Sequence, residues 1–190
     1  MNVIGLLLAA GSASRFGADK LRHELPHGVP IAVQSARHLR AEATRVIAVV
    51  RSAEMGSLLR SEGCETVVFE NASEGMGASL ACAARAAGRA EGYLVALADM
   101  PFIRPTSIAA VRAALEKGAP LAAPYFRGRR GHPVGIGGAF FDSLLDLRGD
   151  EGAKRLLEEN EGKLVKIPVG DPGVIRDIDT PNDLAPPIAV

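Results

Sequence analysis

A loop of small and basic residues follows the first apolar run of the chain, and its chemistry suits a polyphosphate. Residues 9–20 read Ala-Ala-Gly-Ser-Ala-Ser-Arg-Phe-Gly-Ala-Asp-Lys. Small residues allow backbone N–H groups to approach an anion closely, Arg15 can offer a bidentate fork to phosphate oxygens, and Lys20 adds a compact charge. The spacing matches neither a Walker A loop nor the Gly-x-Gly-x-x-Gly of dinucleotide-binding proteins. We therefore predict a triphosphate cradle of another kind, and the alternative is a surface turn with incidental basic residues.

Carboxylates at two later positions could hold a metal ion beside that cradle. Asp99 follows the fourth apolar run, directly before a Met-Pro pair, and Asp177 and Asp179 stand two positions apart near the end of the sequence. Mg²⁺ takes one or two carboxylates together with substrate phosphates, and two carboxylates on one face of a strand repel unless a cation or base lies there. We predict Asp99 as a metal ligand, with Asp177 as the first candidate for a second ligand and Asp179 as the next. The alternatives are a turn cap for Asp99 and a salt bridge to Arg176 for the later pair.

A second glycine-bearing loop precedes a predicted helix. Gly75 and Gly77 permit close approach of the backbone, the helix start presents N–H groups, and Ser79 lies one turn inside the helix. Ser79 could donate to a base carbonyl or a ribose hydroxyl. The alternative is helix capping by Ser73 or Asn71.

A basic segment in the second half could bind a phosphorylated acceptor. Residues 127–134 read Arg-Gly-Arg-Arg-Gly-His-Pro-Val, and Asp150 lies in a later Gly-Asp-Glu-Gly stretch before a helix. Guanidinium groups recognise phosphate, so Arg130 and His132 are candidates for binding the phosphate of an acceptor. Asp150 is a third candidate for the acceptor site, because the first turn of the helix after it could bind an anion. A solvated basic turn, a structural histidine and an N-cap role for Asp150 are the alternatives.

Apolar runs alternate with amphipathic segments, which is typical of a parallel sheet covered on both faces. The chemistry-bearing residues follow the ends of these runs, where open α/β sheets bind ligands. The predicted strands are Val3–Ala9, Arg45–Val50, Thr66–Phe69, Tyr93–Ala98, Leu121–Tyr125, Pro133–Ile136, Lys163–Ile167 and Val174–Asp177. The predicted helices are Pro30–Arg40, Ala53–Ser61, Met76–Ala87, Pro105–Lys117, Ala139–Leu145 and Gly152–Asn160.

The bulk composition narrows the class of protein. The 190 residues are 47% hydrophobic, and we expect residues 1–190 to form a single domain. Lys plus Arg and Asp plus Glu number 22 each, so the charge gives no sign of nucleic-acid or membrane binding. The cysteines, Cys64 and Cys82, lack metal spacing and favour a reducing, cytoplasmic location. We read the apolar start as a buried strand, not a signal peptide, and expect no membrane span.

The motif Leu-Ala-Ala-Gly-Ser-x-Ser-Arg-Phe-Gly-x-Asp-Lys-Leu resembles the opening of the MobA-like nucleotidyltransferases. The Asp-x-Pro at Asp99 is similar to the same family, and the Gly-His-Pro-Val and Gly-Asp-x-Gly-Ala segments resemble, more narrowly, its molybdenum cofactor cytidylyltransferase branch. The resemblance implies a Rossmann-like three-layer α/β/α fold of the GT-A type with a mostly parallel sheet. It also implies a nucleotide site made by Leu8, Ala9, Ala10, Gly11, Ser12, Ser14, Arg15, Gly17, Lys20, Gly75 and Ser79.

The resemblance implies transfer of CMP from CTP to a phosphorylated acceptor, molybdopterin or the molybdenum cofactor, with Mg²⁺ and release of pyrophosphate. The acceptor phosphate is already an anion, so no general base is required, and Arg15, Lys20 and Asp99 are the expected catalytic residues. A molybdoenzyme that receives the product is a further expected partner. The alternatives are use of GTP, a sugar- or polyol-phosphate acceptor, and a maturation protein that binds the cofactor without turnover.

Overall fold

A twisted sheet carries the elements that position the predicted site. The computed structural model describes residues 1–11, 19–70 and 74–184. Within them the strands are β1 (Val3–Ala9), β2 (Arg45–Val50), β3 (Glu65–Val68), β4 (Gly92–Leu97), β5 (Leu121–Phe126), β6 (Arg129–Arg130), β7 (Val134–Gly137) and β8 (Leu164–Pro168). Their order is β3-β2-β1-β4-β7-β5-β6, and β8 pairs with β5. Only β6 and β7 run against the others, so the predicted mostly parallel α/β sheet is confirmed.

Helices cover both faces of this sheet. They are α1 (Ile31–Glu42), α2 (Ala53–Ser61), α3 (Met76–Ala87), α4 (Pro105–Glu116), α5 (Phe141–Leu145) and α6 (Lys154–Glu159). One apolar cluster joins the sheet to α1, α2 and α4, and a second joins it to α3, α5 and α6. The three predicted layers are therefore present. Within the described ranges, no helix combines the length and the apolar character needed to span a membrane.

Strand β1 shows why the sheet lies in the middle. All seven of its residues are buried, and they alternate between the two clusters: Val3 and Leu7 join the first, whereas Ile4, Leu6 and Leu8 join the second. A strand that is apolar on both sides is satisfied only between two layers of helices.

The ends of β1 and β4 bring the first loop next to Asp99. Leu8 of β1 pairs with Leu97 of β4, and the amide of Ala98 donates to the carbonyl of Leu8 at 3.0 Å. Gly11 and Asp99 therefore leave the sheet side by side, at the edge where open α/β sheets bind ligands.

The predicted strand Val174–Asp177 is wrong. A 3-10 helix spans Pro172–Ile175, and residues 176–179 follow in irregular structure. The side chain of Asp171 accepts a hydrogen bond from the amide of Gly173 at 2.9 Å, which starts a turn at Pro172 in place of a strand. Two separate hydrogen bonds, from His132 to the Val174 carbonyl and from Ile178 to the Asp99 carbonyl, then hold the segment against the sheet.

Gly173 lies against the loop that follows Asp99. A Cβ atom at this position would stand 2.1 Å from the carbonyl oxygen of Phe102, which is backbone and cannot turn away. Gly170, three positions earlier in the same connection, has no atom within 4 Å of a Cβ position. The two glycines thus form a matched pair that differs in contact with the Asp99 loop.

We expect Gly173→Ala to lower the free energy of unfolding by about 1–3 kcal/mol, because the added methyl group overpacks a backbone contact. Gly170→Ala is the control and should leave the free energy of unfolding within about 0.5 kcal/mol of the wild type. Denaturant unfolding of both variants measures the difference. Equal stabilities would show that the contact between Gly173 and Phe102 is not tight.

Candidate active site

A lysine and two aspartates meet at the carboxyl edge of the sheet. The Nζ atom of Lys20 lies 2.9 Å from Oδ2 of Asp99 and 3.5 Å from Oδ1 of Asp179. The lysine side chain is only 10% exposed, against 24% for Asp99 and 48% for Asp179. The ammonium therefore lies beneath two carboxylates that remain accessible to a ligand.

The backbone on either side of Asp99 is fixed by hydrogen bonds. The amide of Ile178 donates to the Asp99 carbonyl at 2.9 Å, and the hydroxyl of Ser35 in α1 donates to the Ala98 carbonyl at 2.9 Å. Ile178 itself is fully buried, while its neighbours Asp177 and Asp179 are exposed and half-buried. The two aspartates thus flank a buried isoleucine, and this alternation of burial is present although the segment is not a strand.

A cavity of about 340 Å³ opens beside Lys20 and Asp99. This volume falls in the range of small-molecule sites, roughly 300–1,000 Å³. Its walls are Leu8, Ala10, Gly11, Lys20, Leu21, Gly75, Met76, Ser79, Leu97, Asp99 and Asp150. Ala9 instead lines an adjoining cavity of about 280 Å³, which also contains Gly11 and the start of α2. Predicted residues from the first loop, from α3 and from β4 therefore surround one connected region.

Several predicted residues lie outside the described parts of the chain. They are Ser12, Ser14, Arg15 and Gly17 of the first loop, together with the alternative helix caps Asn71 and Ser73. Their roles stay predictions from the sequence.

The glycines at the start of α3 make room for another part of the backbone. A Cβ atom on Gly75 would stand 2.4 Å from the Gly149 carbonyl, and the amide of Gly77 donates to that carbonyl at 2.6 Å. The Gly77 amide is thus occupied by protein, contrary to the expectation of N–H groups presented to an anion. The Ser79 hydroxyl donates to the Gly75 carbonyl at 3.2 Å while its residue lines the cavity.

Asp150 belongs to this same wall. A Cβ atom on Gly75 would lie 2.5 Å from Oδ1 of Asp150, and Asp150 lines the 340 Å³ cavity. Helix α6 begins only at Lys154, with Ala153 at its N-cap, so Asp150 is not the cap of that helix. Its position is on the α3 side of the site, with the residues predicted to bind nucleotide.

His132 is not among the walls of the 340 Å³ cavity, but it lies within electrostatic range of Asp99 and Asp177. Its amide donates to the Val174 carbonyl at 2.8 Å, and its peptide bond to Pro133 is cis. Burial lowers the pKa of His132 from its ordinary value of 6.5. This effect outweighs the hydrogen bond with the backbone of Val95 and the charges of Asp99 and Asp177, all of which raise the pKa. Its Nδ1 atom is buried and has no hydrogen-bond partner among the described residues.

Arg130 stands near His132 on the exposed strand β6. It pairs with Tyr125 of β5, and its charge contributes to lowering the pKa of His132. Arg130 and His132 are therefore neighbours, and the charges of Asp99 and Asp177 act on the same histidine.

The donor set around Lys20 fits a divalent cation of the magnesium type. Asp99 and Asp179 offer carboxylate oxygens, which such ions prefer, and Mg²⁺ commonly takes only one or two carboxylates besides phosphate and water. In the described residues, no three acidic, histidine or cysteine side chains converge as a ready-made metal cage. The arrangement suits a metal that arrives with phosphate oxygens.

Asp171 is a positioning residue that the sequence reasoning missed. It is 3% exposed and accepts hydrogen bonds from the Arg104 amide at 2.8 Å, the Ser107 hydroxyl at 2.7 Å and the Gly173 amide. It thereby joins the start of α4, which follows the Asp99 loop, to the segment that leads to Asp179. The sequence around Asp171 reads Gly-Asp-Pro-Gly, which indicates a turn in a loop. It does not indicate that the aspartate is buried and joins two segments by hydrogen bonds.

Because burial lowers the pKa of His132 below its value in the unfolded chain, we expect the free energy of unfolding to fall in mild acid. The unfolded chain takes up a proton near pH 6.5 that the folded chain accepts only at lower pH, so this contribution is complete above 6.5 and is lost as pH falls below it. Unfolding of the wild type and His132→Gln between pH 7.5 and 5.5 measures the slope. The variant should lose less stability over this range, and an identical slope in both proteins would contradict the assignment.

Comparison with known proteins connects this geometry to one family. The family model described as "MobA-like NTP transferase domain" matches residues 5–164. Purine catabolism protein PucB of Bacillus subtilis is 29% identical over 95% of this chain and 93% of its own length. Nicotine blue oxidoreductase of Paenarthrobacter nicotinovorans is 27% identical over 94% of this chain and 92% of its own.

Solved structures agree with the fold. Rv0371c from Mycobacterium tuberculosis superposes with a TM-score of 0.81 at 25% identity, over 96% of both chains. The same protein in complex with manganese superposes with a TM-score of 0.77 at 24% identity, again over 96% of both chains. Since the family model spans most of the sheet and the relatives align over nearly the whole sequence, the chain belongs to the MobA-like NTP transferase family and is a nucleotidyltransferase.

Proposed function

We propose that this nucleotidyltransferase moves CMP from CTP to a phosphorylated acceptor of the molybdopterin type. The observation that carries the proposal is the ammonium of Lys20, held between Asp99 and Asp179 at the wall of a 340 Å³ cavity. This arrangement offers a cation for phosphate oxygens, carboxylates for a metal and space for a nucleoside, all at the carboxyl ends of β1 and β4.

In the proposed reaction, an oxygen of the acceptor phosphate attacks the α-phosphorus of the nucleotide. The bond from that phosphorus to the bridging oxygen of pyrophosphate breaks, and its electron pair leaves with pyrophosphate. Lys20 and Arg15 neutralise the charge that grows on the leaving group. Because the Lys20 side chain is 10% exposed, its charge is weakly screened by water and acts strongly on a nearby phosphate.

Asp99 and Asp179 would hold Mg²⁺ in this proposal, with Asp177 as the alternative second ligand. When bound, Mg²⁺ neutralises phosphate charge and orients the triphosphate. The relative Rv0371c is described in complex with manganese, an ion that also favours oxygen ligands.

The basic hairpin is the proposed acceptor site. Arg130 offers a guanidinium fork to a phosphate, and His132 lies within electrostatic range of Asp99, so an acceptor bound there is close to the proposed metal ligands. The names of the two curated relatives concern purine catabolism and an oxidoreductase, which are different kinds of chemistry. The molybdopterin-type acceptor is therefore proposed from the resemblance of this chain's motifs, chiefly Gly-His-Pro-Val, to the molybdenum cofactor cytidylyltransferase branch.

A panel of CTP, GTP, ATP and UTP with Mg²⁺ and molybdopterin, monitored by pyrophosphate release, tests the base and the acceptor together. We expect CTP to give the fastest release, and release should depend on the acceptor. Replacing molybdopterin by a sugar phosphate is the control for acceptor choice. Fastest release with GTP, or with the sugar phosphate, would replace the proposed specificity by one of the alternatives.

Asp99→Asn should reduce turnover by about two to three orders of magnitude, the typical cost of removing one electrostatic group from a transfer site. The fold should persist, since the backbone bonds of Asp99 remain. Asp142→Asn is the matched control. Asp142 belongs to α5, forms an exposed ion pair with Arg89 and is not among the cavity walls. A rate for Asp99→Asn equal to that of the control would remove Asp99 from the mechanism.

A further inference from the structure

Lys20 occupies the place that a metal ion would share with the two carboxylates. Its Nζ atom contacts Oδ2 of Asp99 at 2.9 Å and Oδ1 of Asp179 at 3.5 Å, so one positive charge already bridges the two acids. Taken by themselves, the ammonium of Lys20 and the two carboxylates sum to a single negative charge. A divalent cation approaching these groups gains less attraction than from two bare carboxylates, and it meets the repulsion of the ammonium.

We propose that Lys20 is an internal counterion that competes with the divalent cation, so that the ammonium must leave Asp99 and Asp179 before the metal binds tightly. The arriving triphosphate supplies the new partner for the ammonium and also brings further oxygen ligands for the metal. Nucleotide and metal then bind in that order or together. This inference rests on the proposed function for the identity of the anion, but the competition itself follows from the contacts of Lys20 with Asp99 and Asp179.

The contacts around the cluster indicate which group moves. Asp99 is held through its backbone by Ile178, and Asp179 follows directly after the buried Ile178, so the carboxylates have fixed starting points. Lys20 has a long, flexible stem and begins a short 3-10 helix, Lys20–Arg22, just after the loop predicted to cradle phosphate. A rotation of that stem carries the charge away from the acids without rebuilding the sheet.

Thermodynamic linkage makes the competition measurable without turnover. If the ammonium opposes the metal, its removal must strengthen metal binding in the absence of nucleotide by the same coupling. A lysine that served only to bind phosphate would leave nucleotide-free metal binding unchanged. A lysine that served only to hold the acids together would weaken metal binding when removed.

The experiment measures binding of Mn²⁺, without nucleotide, from the electron paramagnetic resonance signal of the free ion. We expect Lys20→Met to bind Mn²⁺ at least about tenfold more tightly than the wild type, as a relief of roughly 1.4 kcal/mol would give. Lys20→Gln is a second variant in case the methionine disturbs folding, which thermal unfolding checks. Lys20→Arg keeps the charge and should bind as weakly as the wild type.

Two further variants locate the effect. Lys154→Met is the matched control, because it removes an ammonium from an exposed ion pair with Glu158 and should not change Mn²⁺ binding. Adding Asp99→Asn to Lys20→Met should abolish the gain. Equal or weaker Mn²⁺ binding by folded Lys20→Met and Lys20→Gln would overturn the inference. Failure of the nucleotide panel would overturn the proposed function alone, since no step of the Mn²⁺ comparison uses CTP or an acceptor.

Discussion

Asp99 and Asp179 carry like charges, and the ammonium of Lys20 allows them to lie together at the edge of the sheet. These residues come from the start, the middle and the end of the chain. Their meeting requires β1 beside β4 and requires the final segment to cross directly over Asp99, where Ile178 donates its hydrogen bond. Asp171 anchors that crossing, because its buried carboxylate fastens the segment to the start of α4. Much of the late part of the fold therefore serves one electrostatic arrangement.

The first half of the fold was predictable because its signals are local. Runs of apolar residues end at glycine or polar residues, and the bounds of β1, β2, α2 and α3 follow those runs without change. The final segment was not predictable in the same way. Apolar and β-branched residues favour a strand there, but Asp171 and Pro172 begin a 3-10 helix whose hydrogen bonds go to distant residues. Contacts that decide the structure of such a segment are absent from its own sequence.

In the candidate site, too, the features with local sequence signals were predictable, and those that depend on distant contacts were not. Lys20, Asp99 and Asp179 could each be selected from residue type and position, whereas their mutual contact depends on sheet order and on the path of the last segment. Asp150 was expected with the acceptor, but it lies on the wall with Gly75 and Ser79. The role of Asp171 could not be predicted, because the residues around it are those of an ordinary turn. Its burial and its hydrogen bonds with distant backbone and serine groups become visible only in the structure.

The close approach of Gly75 and Gly77 to Gly149 also has a consequence for redesign of the cavity. At this wall of the cavity, the backbone at Gly75 and Gly77 packs directly against the backbone at Gly149, with no side chain of these glycines between them. Larger residues at either glycine would push the two backbone segments apart, while changes confined to Asp150 would leave this contact in place. Redesign of this wall therefore has to vary both backbone segments in the same library, because neither can adapt while the other keeps its natural path.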